Sequence, residues 1–200
     1  VAVLQNSGQQ LEVDVLVMAV GVRPNSGLLA AAGAECDRGV LVDEHCQTSL
    51  PEVWAAGDCT QGFDLVSGER RILALLPNAY MQGDCAGANM AGQVEEFCTG
   101  MAMNSIGFWD KHIMSAGAYE GEALVSTSAD GENYKCLFVK ENRLVGYILV
   151  GDVARAGIYT ALIRERQELS AVDWQLLQSK PQLMALGLAK RRQQLGGIEA

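Results

Sequence analysis

The sequence predicts an α/β segment in its first half and a small α+β domain in its second half. Twenty-two glycines occur in 200 residues, and many stand singly between apolar runs, where an α/β chain turns from strand to loop. The unbroken apolar run Val15 to Val20 is typical of a strand buried on both faces. Beyond residue 106, a series of strands precedes a series of helices, which is the order expected of a separate α+β domain.

The first half combines strands with two helices. Pro77 marks the start of the longer helix, because proline is favoured at the first helical position, where its missing N–H costs nothing. Gly33 closes the shorter helix, and Gly57-Asp58 ends a buried strand. The predicted elements, in chain order, are a hairpin of residues 1–5 and 9–20, a helix over 28–34, strands over 40–43 and 53–56, and a helix from 77 to about 92.

The composition shifts around Thr99 to Ser105, and we place a domain boundary there. Glu141-Asn142-Arg143 is the predicted hairpin turn between the last two strands. The predicted elements are strands over 113–120, 123–128, 134–140 and 144–150, then helices over 153–168, 173–178 and 181–194. The chain thus divides into two predicted parts at this boundary, and the second part comprises residues 106–200.

Charge and composition exclude several classes of function. The net charge of −9 and the pI near 4.7 argue against nucleic acid or an anionic membrane as partner, because a negative surface repels phosphate. No apolar run approaches the roughly 20 residues that span a bilayer, and Val1 begins a strand-like segment without a charged leader, so we expect a cytoplasmic protein. The six cysteines are isolated in the sequence and neither histidine has a metal-ligand spacing, so we expect reduced thiols and no metal.

Asp58 is the strongest candidate for a ligand-binding residue. It follows an apolar stretch and Gly57, and ligands of open α/β sheets bind beyond the carboxyl ends of strands. Gly57 has no side chain to block a cofactor, and a carboxylate at this point can accept hydrogen bonds from the hydroxyls of a sugar or polyol. The alternative is that Asp58 only caps a turn, as aspartate commonly does after a strand. Taken alone, the residues favour neither interpretation.

The start of the helix at Pro77 is a second candidate. Free N–H groups of Asn78 and Ala79, with the positive end of the helix dipole, can stabilise an anionic charge such as that on the pyrimidine edge of a reduced flavin. Small residues at three- and four-residue steps form a narrow face that allows a close partner. These residues are Gly83, Ala86, Gly87, Met90 and Ala91. The alternative for this face is tight packing of the helix on a sheet.

Gly21 is a third candidate, because it follows the apolar run of residues 15–20. A buried strand followed by a glycine and the turn Arg23-Pro24-Asn25 would let a nicotinamide cofactor lie against Gly21. The alternative is ordinary turn chemistry, for which glycine, proline and asparagine are common.

Together these motifs resemble the FAD-dependent pyridine nucleotide-disulfide oxidoreductase superfamily. The matching segments are Val15 to Asn25 with its Gly-x-Arg-Pro-Asn turn, Gly39 to Asp43 with Thr48 to Pro51, Ala56-Gly57-Asp58, and Leu76-Pro77-Asn78-Ala79 with Gln82-Gly83. The resemblance implies that residues 1–24 end an NAD-binding domain and that residues 25–105 form a partial FAD-binding, Rossmann-like segment. It also implies that Asp58 binds the ribityl chain of FAD and that the helix start faces the isoalloxazine ring.

Residues 134–163, with Arg143 to Asp152, resemble the C-terminal domain of one branch of this superfamily. The branch holds NADH-dependent nitrite reductase flavin modules, rubredoxin reductases and NADH oxidases. The resemblance implies that residues 106–200 close over the flavin or mediate dimerisation, so we expect a homo-oligomer. Gly151-Asp152 precedes a predicted helix, and Asp152 is predicted to be its N-cap.

No G-x-G-x-x-G occurs in the 200 residues, although members of the superfamily use such loops to bind the pyrophosphates of FAD and NAD. We therefore expect a C-terminal fragment, inactive as isolated. The intact enzyme would pass a hydride from NAD(P)H to FAD and electrons onward to an acceptor, with an electron-acceptor protein as a partner besides the small-molecule cofactors. We assign no catalytic acid or base, because hydride transfer demands none of these residues.

Two other classes of function stay open. One is a non-catalytic module that dimerises or docks a protein partner, since uncovered strand edges and apolar surface invite association. The other is a generic α/β ligand-binding domain, which would require Asp58 to point away from any cleft.

Overall fold

The computed structural model describes residues 2–4 and 8–187, which form three β-sheets and four α-helices. In chain order the elements are β1 (Ala2–Leu4), β2 (Gln10–Glu12), α1 (Gly27–Ala31), β3 (Val40–Leu41), β4 (Thr60–Phe63), β5 (Arg70–Arg71), α2 (Leu76–Met90), β6 (Met103–Phe108), β7 (Lys111–Gly117), β8 (Glu122–Thr127), β9 (Tyr134–Lys140), β10 (Arg143–Val150), α3 (Ala156–Arg164) and α4 (Trp174–Ser179). Two 3₁₀ turns, Leu169–Ala171 and Leu183–Ala185, flank α4. Within these ranges no helix combines the length and apolar character needed to cross a bilayer.

The largest sheet contains five antiparallel strands in the order β6-β7-β10-β9-β8. The four strands predicted between residues 113 and 150 are confirmed as β7 to β10. Glu141 and Asn142 form the turn before β10 with φ of 49° and 59°, the geometry of a type I′ hairpin turn. β6 was not predicted, because Asn104, Ser105 and Gly107 are weak strand formers. Among the strands of the described residues it is an edge strand, paired with β7 alone.

α3 covers this sheet and closes the main hydrophobic core. Tyr159 of α3 and Tyr147 of β10 are almost completely buried, with ring centroids 5.7 Å apart. The Tyr147 hydroxyl shares a hydrogen bond of 2.9 Å with Thr160 Oγ1, and the Tyr159 hydroxyl donates to the carbonyl oxygen of Leu177 in α4. These bonds satisfy the polar ends of both rings and tie the helices to the sheet.

α3 is shorter than the helix predicted over 153–168. It begins after Arg155, which has a left-handed backbone (φ 60°). The prediction that Asp152 caps α3 is wrong, because Asp152 Oδ1 accepts the N–H of Ala154 at 3.1 Å and closes a turn before the helix.

The helix predicted over 173–178 is confirmed as α4, and Asp173 caps it by accepting the N–H of Leu176 at 3.0 Å. The helix predicted over 181–194 is wrong in its described part. A single 3₁₀ turn occurs there, and Leu186 follows it with an extended backbone (ψ 149°). Residues 188–194 of that prediction lie outside the described residues.

A small sheet, β3-β4-β5, organises the first half of the chain. β3 pairs in parallel with β4, and β4 pairs antiparallel with β5. α2 agrees with the helix predicted from Pro77, which lies in its first turn. α1 agrees with the helix predicted over 28–34, and Gly33 follows it with φ 92°. Cys85 and Ala86 of α2 pack with Cys46 and Phe97 in an apolar cluster, which fixes the helix on the rest of the first half.

The strand predicted over 53–56 is wrong. Its only ladder contact is an isolated bridge between Trp54 and Gln47, and the next strand is β4. Gly57-Asp58 therefore lies in the turn before a strand and not at the carboxyl end of one. The polar composition of β4 concealed it from sequence reasoning, although Thr60 and Gly62 are set in the sheet by pairing with β3 and β5.

The run Val15 to Val20 does not form the predicted buried strand. Residues 13–26 have no regular secondary structure, and Val15, Val17 and Val20 are 75%, 80% and 87% exposed. No described strand pairs with the run, and a strand buried on both faces needs neighbours on both sides. The predicted hairpin is limited to β1 and β2, and residues 5–7 of its turn lie outside the described residues.

Candidate cofactor site at the start of α2

The turn at Gly57 lies directly against the first turns of α2. Gly57 has φ +90°, and a Cβ built on it would lie 3.7 Å from the Cβ of Ala79. This φ is natural for glycine and strained for other residues. The two strongest candidates from the sequence, the Gly57-Asp58 turn and the helix start, are therefore neighbours.

One buried side chain connects the turn to the helix. Gln82 of α2 is 5% exposed, and its Oε1 accepts the N–H of Gly57 at 2.7 Å and the hydroxyl of Thr60 at 2.9 Å. Sequence reasoning did not single out Gln82 as a functional residue. The available signal was the i, i+4 spacing of Asn78 and Gln82, which puts two amide side chains on one face of a helix.

The free donors at the helix start differ from those predicted. The N–H of Ala79 donates to the carbonyl oxygen of Leu75 at 2.9 Å, so the prediction that it is free is wrong. An α-helix leaves its first N–H groups unpaired, and Pro77 has none. Within the described residues, the N–H groups of Leu76 and Asn78 have no acceptor. Leu76 is exposed and Asn78 is completely buried, so of these two only the N–H of Leu76 is open to a ligand.

Asn78 is anchored inward. It is completely buried, and its Nδ2 donates to the carbonyl oxygen of Met101 at 3.0 Å, just before β6. Its Oδ1 is buried without a hydrogen-bond partner in the described structure. Asn78 therefore ties α2 to the second half of the chain, and neither its side chain nor its backbone is exposed at the helix start.

The outer surface of the candidate site is open. Asp58 is exposed, and Leu76 and Tyr80 are 86% and 78% exposed. Among the described residues, no hydrogen bond or ion pair engages the Asp58 carboxylate. Cavities of about 340, 110 and 670 Å³ lie elsewhere and are lined by none of these residues. The exposed residues Asp58, Leu76 and Tyr80 thus lie outside these three cavities.

Two further predictions need correction or stay untested. Of the small-residue face only Ala86 is buried, because Gly83 and Gly87 are exposed and no atom lies within 4 Å of a Cβ built on either. The buried face of α2 instead consists of Asn78, Gln82, Cys85 and Ala86. Gly21 has φ +97°, and the space around its Cβ position is also open. A contact of Gly21 with the other candidate residues stays a prediction.

The thiols of Cys46 and of Cys85, which lies on the buried face of α2, are structural. Burial raises the pKa of Cys46 to about 12, so the sulfur keeps its proton at physiological pH. Burial also raises the pKa of Cys85, whose Sγ lies 3.4 Å from the carbonyl oxygen of Glu95. Neither group is poised as a thiolate nucleophile.

Comparison with known protein families matches two domains to this chain. Residues 1–83 match the pyridine nucleotide-disulphide oxidoreductase family, and this range includes Gly57, Asp58 and the start of α2. Residues 99–167 match the rubredoxin NAD+ reductase C-terminal domain. The chain belongs to the FAD-dependent pyridine nucleotide-disulfide oxidoreductase superfamily.

Individual relatives come from the same superfamily. The chain is 32% identical over 171 residues to the NADH-dependent phenylglyoxylate dehydrogenase subunit epsilon of Aromatoleum evansii, covering 82% of this chain and 40% of the relative. It is 30% identical over 152 residues to the rubredoxin-NAD(+) reductase of Alcanivorax borkumensis, covering 75% and 38%. A ferredoxin reductase from Rhodopseudomonas palustris has a similar structure, with a TM-score of 0.73 at 25% identity, over 84% of this chain and 42% of that one.

Membership in the superfamily confirms the predicted fold class, a partial Rossmann-like segment followed by a C-terminal domain. Enzymes of this superfamily depend on FAD and NAD(P)H. The chain spans 40% of the length of the first relative and 38% of the second.

Proposed function

We propose that this chain is the C-terminal part of an FAD-dependent NAD(P)H oxidoreductase. When bound, FAD would accept a hydride from the nicotinamide and deliver electrons to an acceptor. The observation that carries the proposal is the contact between Gly57 and the first turns of α2, which supports a site formed by the Asp58 carboxylate and the start of the helix. The similarity to rubredoxin-NAD(+) reductase supports the same class of reaction.

Each candidate residue has a distinct role in this proposal. The Asp58 carboxylate accepts hydrogen bonds from the hydroxyls of the ribityl chain, and its exposure leaves both oxygens available. The exposed N–H of Leu76 donates to the pyrimidine edge of the ring, where negative charge develops on reduction. The dipole of the 15-residue helix α2 adds to this stabilisation. Pro77 fixes the backbone of the first helical turn, and Ala79 leaves space beside it.

The exposed apolar run of residues 15–20 supports the second part of the proposal. Contiguous exposed apolar residues mark contact surfaces, and we propose that this run completes the end of an NAD-binding domain formed by residues 1–24 with a preceding part of the intact enzyme. Gly21 then lies against the nicotinamide cofactor. Residues 25–105 form the C-terminal segment of the FAD-binding domain, and the chain is inactive as isolated.

Residues 106–200 are proposed to form an interface domain. Ile106, Phe108 and Trp109 on and beside the edge strand β6 are 54%, 58% and 91% exposed, and the rings of Phe108 and Trp109 are 4.5 Å apart. This edge supports a protein contact, either with an electron-acceptor protein or with a second copy of the chain in a cytoplasmic homo-oligomer. It is also the observation that favours the alternative function, a non-catalytic dimerisation or docking module.

Binding of FAD to the purified chain tests the proposal. We expect the wild-type chain to quench flavin fluorescence on titration. We expect Asp58→Asn to weaken the affinity for FAD about tenfold to hundredfold, because the substitution removes a charge-assisted hydrogen bond worth about 1.5–3 kcal/mol. Asp84→Asn is the matched control, because Asp84 is an exposed aspartate further along α2. Equal weakening by both variants, or no flavin binding with a concentration-dependent oligomer, would contradict the proposal.

A further inference from the structure

Gln82 makes contacts that packing alone does not require. Its side chain is 5% exposed, and one atom, Oε1, receives both the N–H of Gly57 at 2.7 Å and the hydroxyl of Thr60 at 2.9 Å. The two donors stand on either side of Asp58 in the sequence. The carboxamide therefore spans the turn from which the Asp58 carboxylate projects.

The chemistry of the donors fixes the orientation of this carboxamide. A backbone N–H can only donate, so the Gln82 atom that faces Gly57 has to be the oxygen. The carbonyl oxygen of Gly57 accepts the Thr60 N–H at 3.0 Å and lies 2.7 Å from the Thr60 hydroxyl, whose single proton is shared between this oxygen and Gln82 Oε1. Gly57 is thus held by its N–H on one side and by its carbonyl oxygen on the other.

These bonds hold Gly57 in a conformation that few other residues can adopt. Its φ of +90° sets the direction in which the chain leaves toward Asp58. Without an acceptor at Gln82, the Gly57 N–H would be left unpaired in a partly buried position, which costs about 1–3 kcal/mol unless the turn rearranges toward water. Rearrangement of the turn would move Asp58 relative to the start of α2.

We propose that Gln82 is a positioning residue, which sets the Asp58 carboxylate beside the helix start for hydrogen bonding to the polyol of a flavin. This inference rests on the proposed function of the site. Gln82 itself does not touch the flavin. It acts through the Gly57 backbone, so its effect on flavin affinity depends on the presence of the Asp58 carboxylate.

Two substitutions separate positioning from packing. Gln82→Met keeps the length and volume of the side chain and removes the acceptor. Gln82→Glu keeps an oxygen acceptor for both donors and should rescue the turn. Gln93→Met is the matched control, because Gln93 is exposed just beyond α2.

Amide hydrogen exchange at Gly57 gives a readout without cofactor. We expect exchange to accelerate about tenfold in Gln82→Met, with the amides of the main core unchanged, and to stay near wild type in Gln82→Glu and Gln93→Met. Unchanged exchange at Gly57 in Gln82→Met would overturn the inference, since the bond would then not hold the turn.

A double-mutant cycle on FAD affinity gives the second readout. We expect Gln82→Met to weaken FAD binding about tenfold, and we expect Asp58→Asn to add little further loss in the Gln82→Met chain. Additive losses would overturn the inference, because Gln82 would then act independently of Asp58. Failure of the proposed function is a different result, an absence of FAD binding by the wild-type chain, and the exchange experiment still decides whether Gln82 holds the turn.

Discussion

Replacing Gly57 with alanine tests the backbone geometry on which the candidate site depends. A Cβ at this position would lie 3.7 Å from the Cβ of Ala79, which is ordinary van der Waals contact, so steric overlap adds nothing to the cost. The φ of +90° remains, and a non-glycine residue in such a region costs about 1–3 kcal/mol. Alanine also restricts the unfolded chain, which offsets part of this cost. We expect a net loss of about 1–2 kcal/mol.

Gly83→Ala is the matched substitution on α2. Gly83 lies within the helix, and no atom lies within 4 Å of its Cβ position. Alanine should therefore stabilise the chain by up to about 1 kcal/mol through helix propensity. The two glycine substitutions should thus change the free energy of unfolding in opposite directions.

Urea unfolding followed by circular dichroism measures both variants under the same conditions. The expected order of stability is Gly83→Ala, wild type, Gly57→Ala. A Gly57→Ala chain as stable as wild type would refute the reasoning, because it would mean that the turn does not require the left-handed backbone. Destabilisation by Gly83→Ala would refute the assignment of that glycine to an open helix face.

Further predictions concern the core and its titratable groups. Tyr159→Phe leaves a carbonyl oxygen of α4 without its donor and should lower the free energy of unfolding by about 1–2 kcal/mol in urea titrations, whereas the exposed Tyr80→Phe should have no effect. Lys135 donates to two carbonyl oxygens at the end of α4, so Lys135→Met should lower the thermal midpoint. Lys140→Met breaks a surface ion pair and should change the free energy of unfolding by less than about 1 kcal/mol. Equal effects of the two substitutions would contradict the role of Lys135 in capping the end of α4. Burial raises the pKa of both Cys46 and Tyr159 to about 12, so the folded state holds these protons more tightly than the unfolded state. Their contribution to stability is complete below the unfolded pKa values of about 8.5 and 10 and is lost as the pH rises toward 12. The free energy of unfolding should therefore fall above about pH 9. In Cys46→Ala it should fall less steeply with pH.

The sequence predicted the second half of the chain better than the first. β9 and β10 are long apolar strands joined by a two-residue turn, Glu141-Asn142, in which both residues adopt the positive φ of a hairpin. Pro77 likewise marked the start of α2 to within one residue. In these elements the local chemistry and the tertiary structure favour the same conformation.

The errors occurred where the tertiary environment decides. Val15 to Val20 has the composition of a buried strand, but without pairing partners among the described residues it stays exposed and irregular. β4, with its polar sequence, is a strand because β3 and β5 pair with it. β6 is an edge strand of weak strand formers, and only its pairing with β7 defines it.

The candidate site was predicted in outline and not in its connections. The resemblance implied that Asp58 and the helix start contact one flavin, and the Gly57 turn does lie against the first turns of α2. The hydrogen bond from the Gly57 N–H to Gln82 could not be predicted. A glutamine on a helix is usually solvated, and nothing in the sequence marks Gln82 as buried. Ala79 was assigned a free N–H because the helix was taken to begin at Pro77. Leu75 is the N-cap, so Leu75 accepts the N–H of Ala79.

Chemical-shift mapping with FAD tests most directly whether Asp58 and the start of α2 face one flavin. Titration of FAD into the isotope-labelled chain should shift the backbone amides of Asp58, Leu76 and Asn78 together, along a single saturable curve. Amides of the β6 edge and of the 340 Å³ cavity beside β10 should stay unchanged. Shifts confined to those other surfaces, or separate curves for Asp58 and for the helix start, would contradict the shared site.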